Sequence, residues 1–255
     1  MSQGWRIPLG SGEQWTDDYE RGRPAWPVQA LGLVPVRPDA AVLELGAGTG
    51  KLTRLLVARY DHVTAVEPQP AMRRLLVPQC PQADVVVGTA EEIPIADASV
   101  DAVFAAEAFH RFVRDVAVRE IARVLRPAGA LVLMWNLPAG PTEPAITDAE
   151  RFLADLAPGG LPYDPLDLNT DTYSSGEWRR AFEGSPFAPL RETSVPNPQA
   201  IDQDGLVAFF ASMGWIADLP DRERLPLLDD LRSRLPDVEF RRPWTTHVHW
   251  TVLEP

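Results

Sequence analysis

The 255-residue sequence predicts an α/β fold built on a mostly parallel sheet, and three observations carry that prediction. Between residues 42 and 135, short apolar runs alternate with stretches whose apolar residues recur at helical spacing, the pattern of parallel strands joined by right-handed crossovers. The run Val100–Ala106 is apolar almost throughout, as a strand buried on both faces requires. The first run, Val42–Leu45, ends at Gly46, Gly48 and Gly50, so a strand turns sharply into a helix there.

Before the first strand, residues 13–35 contain Tyr19-Glu20-Arg21-Gly22-Arg23-Pro24-Ala25-Trp26-Pro27. The prolines make this a constrained approach to the sheet, and Trp26 is a candidate for the core. The glycine loop follows. Its glycines reach backbone angles closed to other residues and let a ligand lie against the peptide planes. Leu52, Leu55 and Leu56 place a helix over residues 51–60, with its first N–H groups towards that ligand.

Spacing narrows the ligand. A nucleoside-triphosphate loop needs Gly five residues before Gly-Lys and Ser or Thr after it, but Leu45 and Leu52 stand there. A dinucleotide fingerprint needs its third Gly at position 51, which is Lys51. The next apolar run ends at Glu67-Pro68, about 20 residues beyond the loop, where an acid accepts hydrogen bonds from a ribose diol.

Glycines at alternate positions behind the strand-borne Glu44, with Glu67 following, resemble the nucleoside-binding loop of class I S-adenosylmethionine-dependent methyltransferases. The resemblance is good over residues 13–136 and architectural beyond them. It implies a Rossmann-like, seven-stranded, mostly parallel sheet with helices on both faces, an antiparallel last strand and a helical and loop substrate cap. It implies S-adenosylmethionine as cofactor and S-adenosylhomocysteine as product. Cofactor contacts fall on Tyr19 and Arg23 at the methionine end, and on Glu44, Gly46, Ala47 and Gly48 in the loop. Glu67 and Pro68 follow at the ribose, Met72 at the adenine, Thr89, Ala90 and Glu91 in the third loop, and Ala106 and Glu107 at the next strand exit.

That exit, Glu107-Ala108-Phe109-His110-Arg111-Phe112, resembles the Gln-Ala-Phe-His-Trp-Phe of a branch that includes trans-aconitate methyltransferases, with Glu107 and Arg111 as departures. His110 stands where ligands meet an open sheet, as a substrate base or as a positioning group. Val113, Val116, Ala117, Ile121, Val124 and Leu125 then form a helical stripe, and Ala130–Trp135 a fifth strand, with Asn136-Leu137-Pro138 as a loop.

Residues 137–187 and 203–240 read as the cap, and 188–196 and 243–253 as the final strands, within a single domain of residues 1–255. The cap contains a helix near Thr147–Leu156, another behind a capping box at Ser174 and Glu177, and helices around 203–214 and 220–235. Leu206, Phe209, Phe210 and Met213 form an apolar stripe, and Trp178 and Trp215 face either substrate or core. His247 and His249 share one face of the last strand, but no third ligand is evident, so no metal site is expected.

A net charge of −12 disfavours nucleic acid and anionic membrane surfaces, leaving a small-molecule substrate as the expectation. Cys80 is the only cysteine, and residues 1–12 lack the layout of a signal peptide, so a cytoplasmic setting is expected. No feature specifies an oligomeric state. A cofactor-binding protein without catalysis, or a reductase with a degenerate nicotinamide loop, are the competing functions. Against the reductase, no Tyr-x-x-x-Lys pair exists, because Lys51 is the only lysine and follows Ala47.

Overall fold

The computed structural model describes residues 13–159 and 173–254. The reading of residues 1–12 lies outside the described residues, as does the part of the 137–187 stretch between 160 and 172. Five apolar runs become β1 (Ala41–Leu45), β2 (His62–Val66), β3 (Asp84–Val86), β4 (Val100–Ala106) and β5 (Leu125–Pro138). Together with β6 (Arg191–Pro196) and β9 (Trp244–Val252) they form a seven-stranded sheet in the order β3-β2-β1-β4-β5-β9-β6. The first five run parallel, and β9 pairs antiparallel with both β5 and β6, as anticipated. The chain steps outward from β1 to β3 and returns to β4 beside β1, which opens a crevice at the carboxyl ends of these two strands.

Alternation along the strands fills both faces. Val42, Ala102, Phe104, Val132 and Met134 pack with Leu31, Leu52 and Leu56 on one side. Leu43, Val103, Ala105, Leu131, Leu133 and Trp135 pack on the other with Ala117, Val118, Ile121 and Val124 of α4 (Arg114–Val124), introduced here with α1 (Glu13–Gly22), α2 (Thr53–Val57) and α3 (Pro70–Gln79).

The differences from the sequence reading are local. Gly50, at φ +93°, is followed by turn residues 51 and 52, so α2 is shorter than the 51–60 helix expected. In α4 the helix buries Val118, while Val113 precedes it and is exposed. The fifth strand starts at Leu125, which pairs with Val100 before a register shift, and runs to Pro138. Asn136 is therefore a strand residue and not a loop, because Asn136 and Leu137 sit in the ladder opposite Thr246 and Thr245.

Beyond the sheet lie α5 (Pro144–Leu156), α6 (Gln203–Ala211), α7 (Gly214–Ala217) and α8 (Asp221–Arg234), with a two-stranded sheet of β7 (Gln199–Ile201) and β8 (Phe240–Arg242). The short β7 and β8 were not anticipated, since three residues carry too little periodicity to read. Proline suits the first turn of a helix, which places the start of α5 at Pro144, before the expected Thr147. Ile146, Leu153, Leu206, Phe209, Phe210, Trp215 and Leu231 build a separate apolar cluster, which α6 shares with α1 packed along it. The capping box does not form: Gly176, left-handed at φ +67°, precedes a 3-10 helix, Glu177–Phe182, with no side-chain cap. Trp178 is fully buried between Phe109, Trp135 and His249, and Trp215 lies in the cap cluster, so both serve packing.

Candidate functional site

The glycine loop leaves β1 with Gly46 at φ +69° and Gly48 at φ +60°. At Gly46 a methyl group would stand 2.8 Å from Ala108 Cβ, so the loop must pass closely under the β4 exit. At Gly48 a methyl group would meet nothing within 4 Å, which leaves open space over that peptide. Opposite the loop the chain places α1 and the segment after it. Glu20 ties them together: its carboxylate accepts from Thr49 Oγ1 at 2.5 Å and Arg54 Nη2 at 2.9 Å, and its carbonyl accepts from Lys51 Nζ at 2.6 Å.

Between these walls lies an open cleft. Tyr19, Arg23, Pro24 and Trp26 line it from α1 and its extension, and Glu44, Gly46, Ala47, Gly48, Thr49, Lys51 and Leu52 from the loop. Ala106, Glu107 and Arg111 contribute from the β4 exit, Asn136 from β5, Phe209 from α6 and Trp244 from the start of β9. Burial of Trp26 in the sheet cluster is compatible with its edge lining the cleft.

Several polar side chains in the cleft have partners, while Arg111 Nη1 is buried without one among the described residues. Arg23 Nε donates to Ser212 Oγ at 2.9 Å, and its guanidinium lies 4.9 Å from the Phe209 ring centroid. Glu107 has an unusual φ of +49° and its carboxylate accepts the Asn136 N–H at 2.7 Å, fixing the β4 exit against β5. The Asn136 amide oxygen accepts from Thr246 Oγ1 at 2.5 Å and Asn197 Nδ2 at 3.1 Å. Glu44 is fully buried, accepts from Thr53 Oγ1 at 2.6 Å, and burial pushes its carboxyl up to about 8. Burial likewise lowers the Lys51 ammonium, a shift that the charge of Glu20 opposes.

Of the residues expected from sequence, Tyr19, Arg23, Glu44, Gly46, Ala47, Gly48, Ala106 and Glu107 are brought together in the cleft. The others stand around it. Glu67, just past β2, accepts the N–H groups of Gly48 and Gln69, both at 2.8 Å, and burial raises its carboxyl. Met72 is buried on α3, Ala90 is buried while Thr89 is exposed, and Glu91 Oε1 accepts the Val113 N–H at 2.7 Å. His110, in a 3-10 turn at 109–111, is buried with neither ring nitrogen hydrogen-bonded, and burial and then Arg111, Arg114 and Arg23 hold its pKa well below the ordinary histidine value.

Lys51, Arg111, Asn136, Phe209 and Trp244 were missed as cleft residues, as was Glu20 as the group that ties α1 to the loop. Only Arg111 carried a local signal, as a departure from the motif at the strand exit. His249 is fully buried, and both histidines of β9 bond the Tyr173 hydroxyl, His247 Nδ1 at 3.1 Å and His249 Nε2 at 3.0 Å. Among the described residues, no three or more His, Cys, Asp or Glu are grouped to hold a metal, and no helix is long and apolar enough to cross a membrane.

A parallel sheet with its crevice between β1 and β4, a glycine loop that lacks phosphate-loop spacing and a lid of α1 define a Rossmann-like nucleoside-cofactor protein. A family model described as a methyltransferase domain matches residues 43–133. An uncharacterized methyltransferase of Mycobacterium tuberculosis (strain H37Rv) is 51% identical over 217 residues, 85% of this chain and 82% of that one. A solved structure from Anaeromyxobacter dehalogenans, described as a type II methyltransferase, superposes with a TM-score of 0.67 at 21% identity, over 91% of this chain and 99% of that one. A Haemonchus contortus phosphoethanolamine N-methyltransferase, solved with phosphomonomethylethanolamine and S-adenosylhomocysteine, gives a TM-score of 0.54 at 14% identity, over 94% of this chain and 57% of that one. The chain belongs to the class I S-adenosylmethionine-dependent methyltransferases. The family implies S-adenosylmethionine as the cofactor.

Proposed function

We propose that this methyltransferase moves the sulfonium methyl of S-adenosylmethionine to an oxygen, nitrogen or carbon of a small molecule. The observation that carries the reading is the cleft itself, which the glycine loop, α1 and the rings of Phe209 and Trp244 line together at the carboxyl ends of β1 and β4. The net charge of −12 supports a substrate other than nucleic acid.

The cofactor supplies an activated, cationic methyl group, and the chain supplies position. Open space at Gly48 suits close approach of a nucleoside, and Arg23 suits a carboxylate that takes a guanidinium bidentately. We assign the ribose diol to Glu67, the adenine face to Met72, and the adenine edge to Thr89, Ala90 and Glu91, whose second oxygen, Oε2, would face the amino group. Tyr19, Pro68, Ala106 and Glu107 complete that shell. Phe209 and Trp244 would exclude water from the acceptor, which favours a displacement in which the sulfonium charge is lost.

His110 fits positioning better than proton abstraction, because burial and the neighbouring arginines lower its pKa and so weaken it as a base, while the neutral ring still offers one donor and one acceptor. His110→Ala is expected to raise the acceptor KM while S-adenosylhomocysteine affinity stays unchanged, with partial rescue by Asn. Loss of an acid limb from the pH profile of kcat in that variant would show a base instead.

Calorimetry with S-adenosylmethionine, S-adenosylhomocysteine and NADPH tests the cofactor. Binding of the first two and not the third is the expected result, and preference for NADPH would overturn it. Glu67→Ala is expected to weaken S-adenosylmethionine binding by about 1.5–3 kcal/mol, as loss of a charged hydrogen bond does. Unchanged affinity in a folded variant would remove Glu67 from the ribose site.

A further inference from the structure

We propose that Tyr173, His247 and His249 form a binding site for a divalent d-block cation such as Zn2+, which ties the turn at Tyr173 to the last strand. The site lies outside the cleft, on the sheet face that carries Trp135 and Trp178. His247 and His249 are two apart on β9 and so project from the same face. Their facing nitrogens, Nδ1 of His247 and Nε2 of His249, converge on one oxygen, the Tyr173 hydroxyl, at 3.1 Å and 3.0 Å. Neighbouring ligand atoms of a tetrahedral zinc ion, each about 2.0–2.1 Å from the metal, are separated by about this distance. The third ligand that the sequence lacked is thus a tyrosine brought in from a distant turn.

The far side of His249 supplies a second, independent indication. Its Nδ1 is buried, has no hydrogen-bond partner, and stands 3.5 Å from the Glu192 carboxylate. An imidazole that binds metal through Nε2 carries its proton on Nδ1, and a carboxylate behind that nitrogen orients the ring and raises its basicity. The neighbouring cation, Arg179, hydrogen-bonds Tyr173 and would have to release it to the ion; its pairing with Glu192 at 3.0 Å and its place over Trp178 give its charge other partners. Tyr173 and His247 are only half-buried, which leaves the ion a way in and room for a water as fourth ligand. Two imidazoles and one phenol oxygen suit Zn2+, Cu2+ or Co2+ better than Mg2+ or Ca2+.

The test uses untagged, metal-stripped full-length protein, titrated with Zn2+ by calorimetry. One ion per chain with a Kd of about 10 µM or tighter is expected, weakened at least tenfold in His247→Gln and in Tyr173→Phe. Zn2+ should raise Tm in the parent and not in these variants, and Co2+ should give the intense visible bands of a tetrahedral site. Tyr173→Phe keeps the ring against Trp135 and Trp178, and circular dichroism of both variants checks that the fold is retained. The exposed His62 is the control: His62→Gln should change nothing. No Zn2+ binding tighter than about 100 µM, or binding that survives both substitutions, would overturn the site. The outcome is independent of the cofactor assignment.

Discussion

Gly22→Ala is expected to cost at least about 3 kcal/mol of stability, the upper end of what overpacking does, and to weaken S-adenosylhomocysteine binding at least tenfold. Gly22 ends α1 where that helix crosses α6, and a Cβ there would stand 2.1 Å from Phe209 N, 2.3 Å from Phe209 Cα and 2.7 Å from Ala208 C. These are backbone atoms of a helix, so no side-chain rotation relieves them, and α1 must back away. That motion carries the cleft with it. Tyr19 and Glu20 ride on α1, Arg23 follows it, and the Phe209 ring that Arg23 faces belongs to the other partner of the crossing. Urea denaturation with calorimetry on the same preparation reads both effects. Gly32→Ala, with nothing within 4 Å of the added methyl, is the matched control and should stay within about 0.5 kcal/mol of the parent. A Gly22→Ala protein of parental stability would mean that α1 does not dock on α6 in solution.

Glu44 produces the second large effect, and pH reveals it. Its carboxyl is fully buried, and burial raises it from 4.5 to about 8, with the Thr53 hydroxyl lowering it and Glu67 raising it. Between those values the folded protein holds a proton that the unfolded chain has released, so stability falls as pH rises from 4.5 towards 8 and levels off above it. The slope from this group approaches about 1.4 kcal/mol per pH unit. Glu44→Gln keeps the shape and a neutral side chain able to accept from Thr53. It is expected to match the parent near pH 5 and to exceed it by several kcal/mol, on the order of 3–5, near pH 9. Glu67 shifts in the same direction and is present in both proteins, so its own burial cancels in the difference and only its coupling to Glu44 remains. Parallel stability curves for parent and variant would show that Glu44 is ionised in the folded state.

The strands were legible because their signals are local. Val42–Leu45, His62–Val66 and Val100–Ala106 are apolar runs bounded by polar residues or turns, and β9 alternates along its length, so pleat and burial follow from neighbours in sequence. The glycine loop was legible for a steric reason: residues 46, 48 and 50 take φ of +69°, +60° and +93°, which other side chains resist. Helix ends were less legible. Val113, Lys51 and Leu52 fit the helical period but fall in caps and turns, because hydrogen bonds at an end depend on what the next element offers, such as the Glu91 carboxylate beneath Val113.

The sequence by itself determined the main sheet and the glycine turn after β1, since backbone sterics and apolar periodicity need no distant partner, while the cofactor class followed from the resemblance of that loop to a known family. Only the tertiary structure decided which distant side chains meet, both around the cleft and outside it. Glu20 meets Thr49 across 29 residues, Asn136 meets Thr246 across 110, and Tyr173 meets His249 across 76. Such meetings are set by how helices cross and strands register, and the cooperative packing of the whole chain fixes both.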